Sequence, residues 1–406
     1  MRILFCNYEY PPLGGGGGVV NAALAKDLAK RHEVTVLTSR GFGLPAVSFV
    51  DGVRVIRAPV YFRRRRTVAN FPSMLAYLVT GTLLGRRLVR REQFDVVNTH
   101  FALPTGPVGD WLSRVAGAPN VLSVHGGDLY DPSKRSSAHR HALLRWSVRR
   151  LVLRADAVVA QSSDTLENLR RFFAPEVRAH VIPLGIAQPP KVHCSRAKYG
   201  FDRGDVLLIS IGRLISRKRI DQLIAAVAEI GDPRVKLVLL GDGPRARELR
   251  AAASRLGVDR QVKFMGAVDE TTKFELLSVA DLYVSTSEHE GFGLVFLEAM
   301  ASGLPIVCYE RGGQSDFLAD GSTGHLVPVN DRASFVERCR CLISDPVRRA
   351  SIGISNRSRI RDFYIERCAR RYEEVFEAVI RERRRGVPSE GVEAVVEDAR
   401  IVEGTK

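Results

Sequence analysis

The chain opens on a short apolar run, Arg2–Cys6, then five consecutive glycines at 14–18, then apolar residues at helical spacing over Val19–Lys30. This pattern predicts a strand, a glycine loop and a helix. Glu33–Thr38 (EVTVLT) is β-branched and strand-like, and further short strands are predicted at Val53–Ala58, Asp95–Asn98, Val121–Val124 and Ala157–Ala160. Longer helical segments separate most of them. Residues 183–205 interrupt the rhythm, because Pro183, Gly185, Pro189 and Pro190 lead into a polar stretch with the chemistry of a linker. The alternation then restarts. Strands are expected at Val206–Ile211, Lys236–Leu240, Val262–Phe264, Asp281–Ser285 and Ile306–Cys308, with helices around Asp221–Ile230, Arg245–Leu256 and Leu294–Ala301. Strands that alternate with helices imply parallel sheets built from βαβ units, so the expected class is α/β with two successive sheets. The expected boundaries are 1–185 and 186–362, then a long helix over 363–385, then a small, polar, acidic tail at 386–406 expected to be disordered.

Composition agrees with two packed domains: 406 residues, 45% hydrophobic and 26% charged, are too many for one ordinary core and too apolar for a disordered chain. The six cysteines (Cys6, Cys194, Cys308, Cys339, Cys341 and Cys368) form no C-x-x-C pair or Cys/His ligand spacing. Neither a zinc site nor a disulfide framework is expected, and a reduced cytoplasmic setting suits them. The start lacks the apolar core of a signal peptide, and the longest apolar stretch, Met74–Leu84, falls short of the roughly 20 residues of a membrane span. A soluble or peripheral protein is expected.

Of the net +16, residues 1–190 carry +13, concentrated at Arg63–Arg66, Arg86–Arg91 and Arg135–Arg154. A basic face attracts anionic lipid, an anionic acceptor or nucleic acid. No zinc finger or RNP-type strand accompanies it, so nucleic acid is not expected as a partner.

The chemistry concentrates in Ser285–Val307 (STSEHEGFGLVFLEAMASGLPIV). A strand ends, a polar loop follows, and Gly291 and Gly293 flank Phe292 before a helix opens near Leu294. Glycines admit close backbone approach, and a helix N-terminus favours negative charge. Glu290 and Glu298 stand eight residues apart, about 12 Å if every step were helical. A span of that order suits a donor whose sugar and ribose flank a diphosphate. In Ile211–Lys218 (IGRLISRK), Arg213 and Lys218 follow a strand directly, where two cations can clamp a diphosphate.

Glu290-x7-Glu298 within EGFGLVFLEAMASGLPIV resembles the signature of retaining glycosyltransferases of family 4. The resemblance spans about residues 2–380. It implies the GT-B fold, two Rossmann-like domains facing each other across a donor-binding cleft, and a C-terminal helix that crosses back onto the first domain. It implies hexosyl transfer from a nucleotide-diphosphate sugar to a glycan, glycolipid or lipid-linked acceptor, as in cell-surface polysaccharide or glycolipid synthesis. No cofactor or metal is implied, and no D-x-D triplet occurs. Arg213 and Lys218 hold the donor phosphates in this reading, Glu290 the sugar hydroxyls and Glu298 the ribose. Gly291, Phe292, Gly293 and Leu294 bind the donor. Gly16 and Gly17 approach its phosphates from the N-terminal half. His125, in SVHGGD with Asp128, lies against the transferred sugar, and His100, in NTHFALPTG, is on the acceptor side.

Three segments qualify the match. Family members usually carry glycine after the lysine, where this chain has Arg219. Arg311–Asp316 (RGGQSD) has Gln314 where many members are acidic, which bears on sugar or base preference. Leu240–Pro244 (LGDGP) is read equally as a nucleotide-lining turn or a simple tight turn. Two rivals remain, a GT-B nucleotide-sugar epimerase and a non-catalytic membrane-surface protein. The basic, apolar segment Tyr61–Arg91 suggests contact with an anionic membrane, at the inner face of the plasma membrane.

Overall fold

A computed structural model describes residues 1–66 and 69–385. The tail expected at 386–406 lies outside the described residues. The described residues divide into two compact units, unit 1 from residues 1–187 with 364–385, and unit 2 from residues 188–363.

Unit 1 runs β1 (Arg2–Asn7), α1 (Gly16–Leu28), β2 (Glu33–Arg40), β3 (Val47–Val50), β4 (Val53–Pro59), α2 (Phe71–Arg91), β5 (Val96–His100), α3 (Thr105–Ala116) and β6 (Asn120–Val124). It continues through α4 (Ala142–Arg154), β7 (Ala157–Ala160), α5 (Ser163–Phe172) and β8 (His180–Val181). The eight strands lie in the order β3-β4-β2-β1-β5-β6-β7-β8, parallel except for the β3–β4 pair. Order reverses between β1 and β5, and in open α/β sheets the carboxyl ends at such a reversal are where ligands bind. His100 closes β5 and His125 directly follows β6, so both stand at that edge.

Unit 2 runs β9 (Val206–Ile211), α6 (Ile220–Ile230), β10 (Val235–Leu240), α7 (Ala246–Arg255), β11 (Val262–Gly266), α8 (Glu270–Val279) and β12 (Leu282–Ser285). Then come α9 (Leu294–Ala301), β13 (Ile306–Tyr309), β14 (Gly324–Val327), α10 (Arg332–Ser344) and α11 (Pro346–Arg359). Its six strands are parallel, in the order β11-β10-β9-β12-β13-β14. β12 and β13 are buried throughout, as expected of parallel strands covered on both faces, which explains why they read as unbroken apolar runs. Here order reverses between β9 and β12. IGRLISRK runs off the end of one and STSEHEGFG off the end of the other, so residues some seventy positions apart become neighbours.

α12 (Ile365–Arg385) belongs to unit 1. Ile365, Cys368, Ala369, Tyr372, Val375, Phe376 and Val379 form its buried face, clustered with Leu24, Ala25 and Leu28 of α1. Their three- and four-residue spacing makes one apolar stripe.

Candidate active site

In unit 2 the loop after β12 carries Glu290, whose side chain is buried. Its backbone is fixed from the loop after β13: the Glu290 amide donates to the Arg311 carbonyl (3.2 Å), and the Gly313 amide donates to the Glu290 carbonyl (2.9 Å). Gly312 has φ +116°, and a Cβ there would overlap the Glu290 carbonyl oxygen. Only glycine fits. The close approach made by Gly312 is therefore to Glu290 itself.

The Glu290 carboxylate forms an ion pair with Lys218 Nζ and lies 3.6 Å from Arg217 Nη1. Burial works to raise its pKa, but Lys218 and then Arg217 outweigh burial and hold it at about 2. Arg217 also donates to the His289 carbonyl. Arg217 stands inside the IGRLISRK motif, yet the strand-end cations singled out there were Arg213 and Lys218; its sequence signal is adjacency alone.

Arg213 is exposed, and among the described residues its guanidinium has no hydrogen-bond or ion-pair partner. Lys218 folds back so that a Cβ on Gly212 would lie 3.2 Å from its Cε, which keeps the ammonium close to the end of β9. The LGDGP turn buttresses this loop: Leu214 N–H donates to Asp242 O (3.0 Å), Arg245 N–H donates to Leu214 O (3.1 Å), and Gly241, at φ +124°, abuts the Gly212 carbonyl. Arg219 adopts φ +45°, the left-handed region. That conformation is why glycine suits the position. Here the side chain compensates by pairing with Glu288 at 2.7 Å and Asp221 at 3.5 Å.

α9 begins at Gly293, whose φ of +94° makes it the left-handed cap. The amides of Leu294 and Val295 open the helix without an intrahelical acceptor. Phe292 differs from expectation. Its side chain is buried against Phe317 (5.1 Å between ring centroids), so only its backbone is left to line a ligand. Glu298 is also engaged, since Lys273 of α8 reaches it at 2.7 Å while pairing with Glu270 at 2.8 Å. Burial raises the Glu298 pKa against the pull of Lys273. Lys273 carried no sequence signal, because a lone lysine on a helix reads as a solvated face.

In unit 1, Gly16 and Gly17 are the first residues of α1 rather than loop, with Gly15 as the cap. A Cβ on Gly17 would stand 2.7 Å from the ring of Phe101. That ring, on a residue with φ +70°, lies 4.3 Å from the His125 ring. His125 is buried, and burial depresses its pKa to about 4. Its Nε2 lies 3.0 Å from His100 Nδ1, and its own Nδ1 has no partner among the described residues. Two expectations need correcting here. His100 is wholly buried, stacked on Phe5 and bonded to Asn98, so it supports His125 and cannot touch an acceptor. Asp128 uses both carboxylate oxygens on the Ala102 (2.6 Å) and His125 (2.9 Å) amides, so it braces the backbone instead of facing substrate. Burial lifts its pKa to about 6.

Residues 15–185 match the family described as glycosyl transferase 4-like domain, and residues 193–359 that described as glycosyl transferases group 1. The chain is 30% identical to alpha-maltose-1-phosphate synthase of Mycolicibacterium smegmatis over 93% of this chain and 100% of that protein. It belongs to the group 1 glycosyltransferases. This glycosyltransferase is also 28% identical to N-acetyl-alpha-D-glucosaminyl L-malate synthase of Bacillus anthracis, over 93% of this chain and 97% of that one. Sucrose-phosphate synthase from Thermosynechococcus elongatus shares its fold at a TM-score of 0.79 with 21% identity, over 94% of this chain and 99% of that chain. Anabaena HepE in complex with UDP-glucose does so at 0.73 with 22% identity, over 93% and 100%. The glycosyltransferase therefore has the GT-B fold, each unit carrying one of its parallel-sheet α/β domains.

Proposed function

We propose that this glycosyltransferase moves a hexose-type sugar, with retention, from a nucleoside-diphosphate sugar to a glycan, glycolipid or lipid-linked acceptor. The observation that carries the reading is the cationic cluster at the order reversal of unit 2, where Lys218 and Arg217 hold a buried, ionised Glu290 and Arg213 is exposed on the same loop after β9. Arg213 and Lys218, with the free amides opening α9, take up the charge that develops on the departing diphosphate. This is fixed-dipole and fixed-charge stabilisation and needs no bound metal. Glu290, ionised throughout the neutral range, accepts from the sugar hydroxyls. Glu298, anchored by Lys273, retains lone pairs for the ribose hydroxyls. In unit 1 the Nδ1 of His125 serves a sugar oxygen, and the first amides of α1, from Gly16 and Gly17, suit phosphate oxygens. HepE in complex with UDP-glucose supports the donor class, and a match to a GDP-mannose-dependent mannosyltransferase of Mycolicibacterium smegmatis leaves the base open between uridine and guanosine. A thermal-shift panel of nucleotide sugars tests the donor, because a ligand at 100 times its Kd stabilises by about 2.7 kcal/mol. The matching donor should then show acceptor-dependent release of nucleoside diphosphate, and release without any acceptor would favour the epimerase reading.

The acceptor is proposed to sit at an anionic membrane surface. Phe71, Leu75, Val79 and Leu83 recur every four residues along α2 and are between 47% and 70% exposed, an apolar stripe facing solvent. Arg86, Arg87, Arg90 and Arg91 end the same helix. Such a face inserts at the headgroup boundary of anionic lipid, which suits peripheral attachment at the inner face of the plasma membrane. Among the described residues no helix is long and apolar enough to cross a membrane.

A further inference from the structure

At one end of a buried hydrogen-bonded chain the Nδ1 of His125 has no partner among the described residues. The other end is Tyr372 of α12, whose phenol donates to Ser123 Oγ at 3.0 Å. Ser123 Oγ in turn donates to Asn98 Oδ1 at 3.4 Å, Asn98 Nδ2 lies 2.9 Å from His100 Nε2, and His100 Nδ1 lies 3.0 Å from His125 Nε2. These residues come from β5, β6, the loop after β6 and the returning helix, and all belong to unit 1.

The chain has a direction. A phenol proton needs an acceptor, and Ser123 is the only one it has among the described residues. With its oxygen so occupied, the Ser123 hydroxyl sends its own proton to Asn98 Oδ1. That turns the Asn98 amide nitrogen toward His100, and an amide nitrogen can only donate. His100 Nε2 must therefore accept. Burial keeps both imidazoles neutral, each with one N–H. The His100 proton is then on Nδ1 and is donated to His125 Nε2, which leaves the His125 proton on Nδ1. In the reverse polarity Asn98 Nδ2 would donate to Ser123 Oγ, and one of the two buried hydroxyl protons, that of Ser123 or that of Tyr372, would have no acceptor among the described residues.

We infer that Asn98, His100, Ser123 and Tyr372 are positioning residues that fix the tautomer of His125, so that its buried Nδ1–H is a hydrogen-bond donor to an oxygen of the sugar being transferred. The ring is fixed to match. Gln161 Nε2 donates to the His125 carbonyl at 2.6 Å, Asp128 accepts from the His125 amide, and Phe101 covers one ring face. Buried donors without a partner are rare in native proteins, and a ligand oxygen supplies the missing one. The inference rests on the glycosyl-transfer reading only for the identity of that oxygen.

The test is a long-range 1H–15N correlation spectrum of the full chain labelled in its nine histidines, with His125 assigned by its loss in His125→Asn. The result expected is a protonated Nδ1 and an unprotonated Nε2. The opposite tautomer overturns the inference without any assay of transfer. Asn98→Asp places an acceptor against both neighbours and should reverse the chain, moving the His125 proton to Nε2 and lowering kcat/KM by about tenfold, the scale of one net hydrogen bond. A reversed tautomer with kcat/KM unchanged refutes the contact with sugar. Should Asn98→Asp fail to fold, Ser123→Ala removes the hydroxyl whose proton holds Asn98 Oδ1 and so sets the direction. The Nδ1–H population of His125 should fall, and an unaltered spectrum overturns the directed chain. If no nucleotide sugar is turned over by the wild type, the functional reading fails while the tautomer result stands by itself.

Discussion

Replacing Glu290 with glutamine removes one charge and almost no volume, and it mimics the protonated acid. The folded protein holds this carboxyl at about 2 against an ordinary value of 4.5. That difference amounts to about 3 kcal/mol of stability from ionisation. Because the folded pKa is the lower one, the contribution is complete above the unfolded value, near pH 5 and higher. It declines as pH falls and by pH 3 is about 1.4 kcal/mol. Glu290→Gln should therefore destabilise unit 2 by about 3 kcal/mol at pH 7, or roughly 6–12 °C for a unit of this size. Hydrogen exchange over β9, β12 and α9 reads this directly, with exchange faster by roughly a hundredfold. Both tryptophans, Trp111 and Trp146, lie in unit 1, so their fluorescence reports the other unit and serves as the control. The same variant frees Lys218, so a nucleoside diphosphate should bind at least as tightly while sugar transfer is lost. A variant within about 0.5 kcal/mol of wild type, with no pH dependence to the difference, would refute the buried ion pair.

Lys273→Met leaves a half-buried Glu298 without its cation and should cost roughly 1–3 kcal/mol in urea unfolding, against near-neutral behaviour if the pair were merely a surface contact. At Arg219, glycine relieves a left-handed backbone while forfeiting half-exposed ion pairs, so Arg219→Gly should stay within about 1 kcal/mol of wild type; Arg219→Val keeps the strain, loses the pairs and should cost about 1–2 kcal/mol. Leu75→Glu with Val79→Glu breaks the exposed stripe of α2 without touching a core. Co-sedimentation with anionic vesicles should drop in that variant and fall with salt in the wild type, and equal pelleting of both at low salt contradicts membrane docking.

Much of the fold was legible because parallel strands are buried on both faces and so appear as short unbroken apolar runs such as Val206–Ile211. The first turn of α1 was hidden because glycine is a poor helix former, yet Gly16 and Gly17 occupy first-turn positions whose amides have no intrahelical acceptor, and at Gly17 the Phe101 ring excludes a side chain. His100 could not be told from a surface histidine until β5 was known to lie between β1 and β6, where its ring is enclosed. Phe292 read as part of a ligand loop because glycines surround it, but an aromatic ring beside Phe317 gains more from burial. Lys273 and Asn98 were invisible for one shared reason. Their importance lies in partners that only tertiary structure brings near.

In the proposed reaction the donor's diphosphate rests on Arg213 and Lys218. Isothermal titration of the matching nucleoside diphosphate into wild type, Arg213→Ala and Lys218→Ala measures it most directly. Charge-assisted hydrogen bonds are worth about 1.5–3 kcal/mol, so each variant should bind roughly ten- to a hundredfold more weakly. Undiminished affinity in both variants would mean that the diphosphate rests on neither cation.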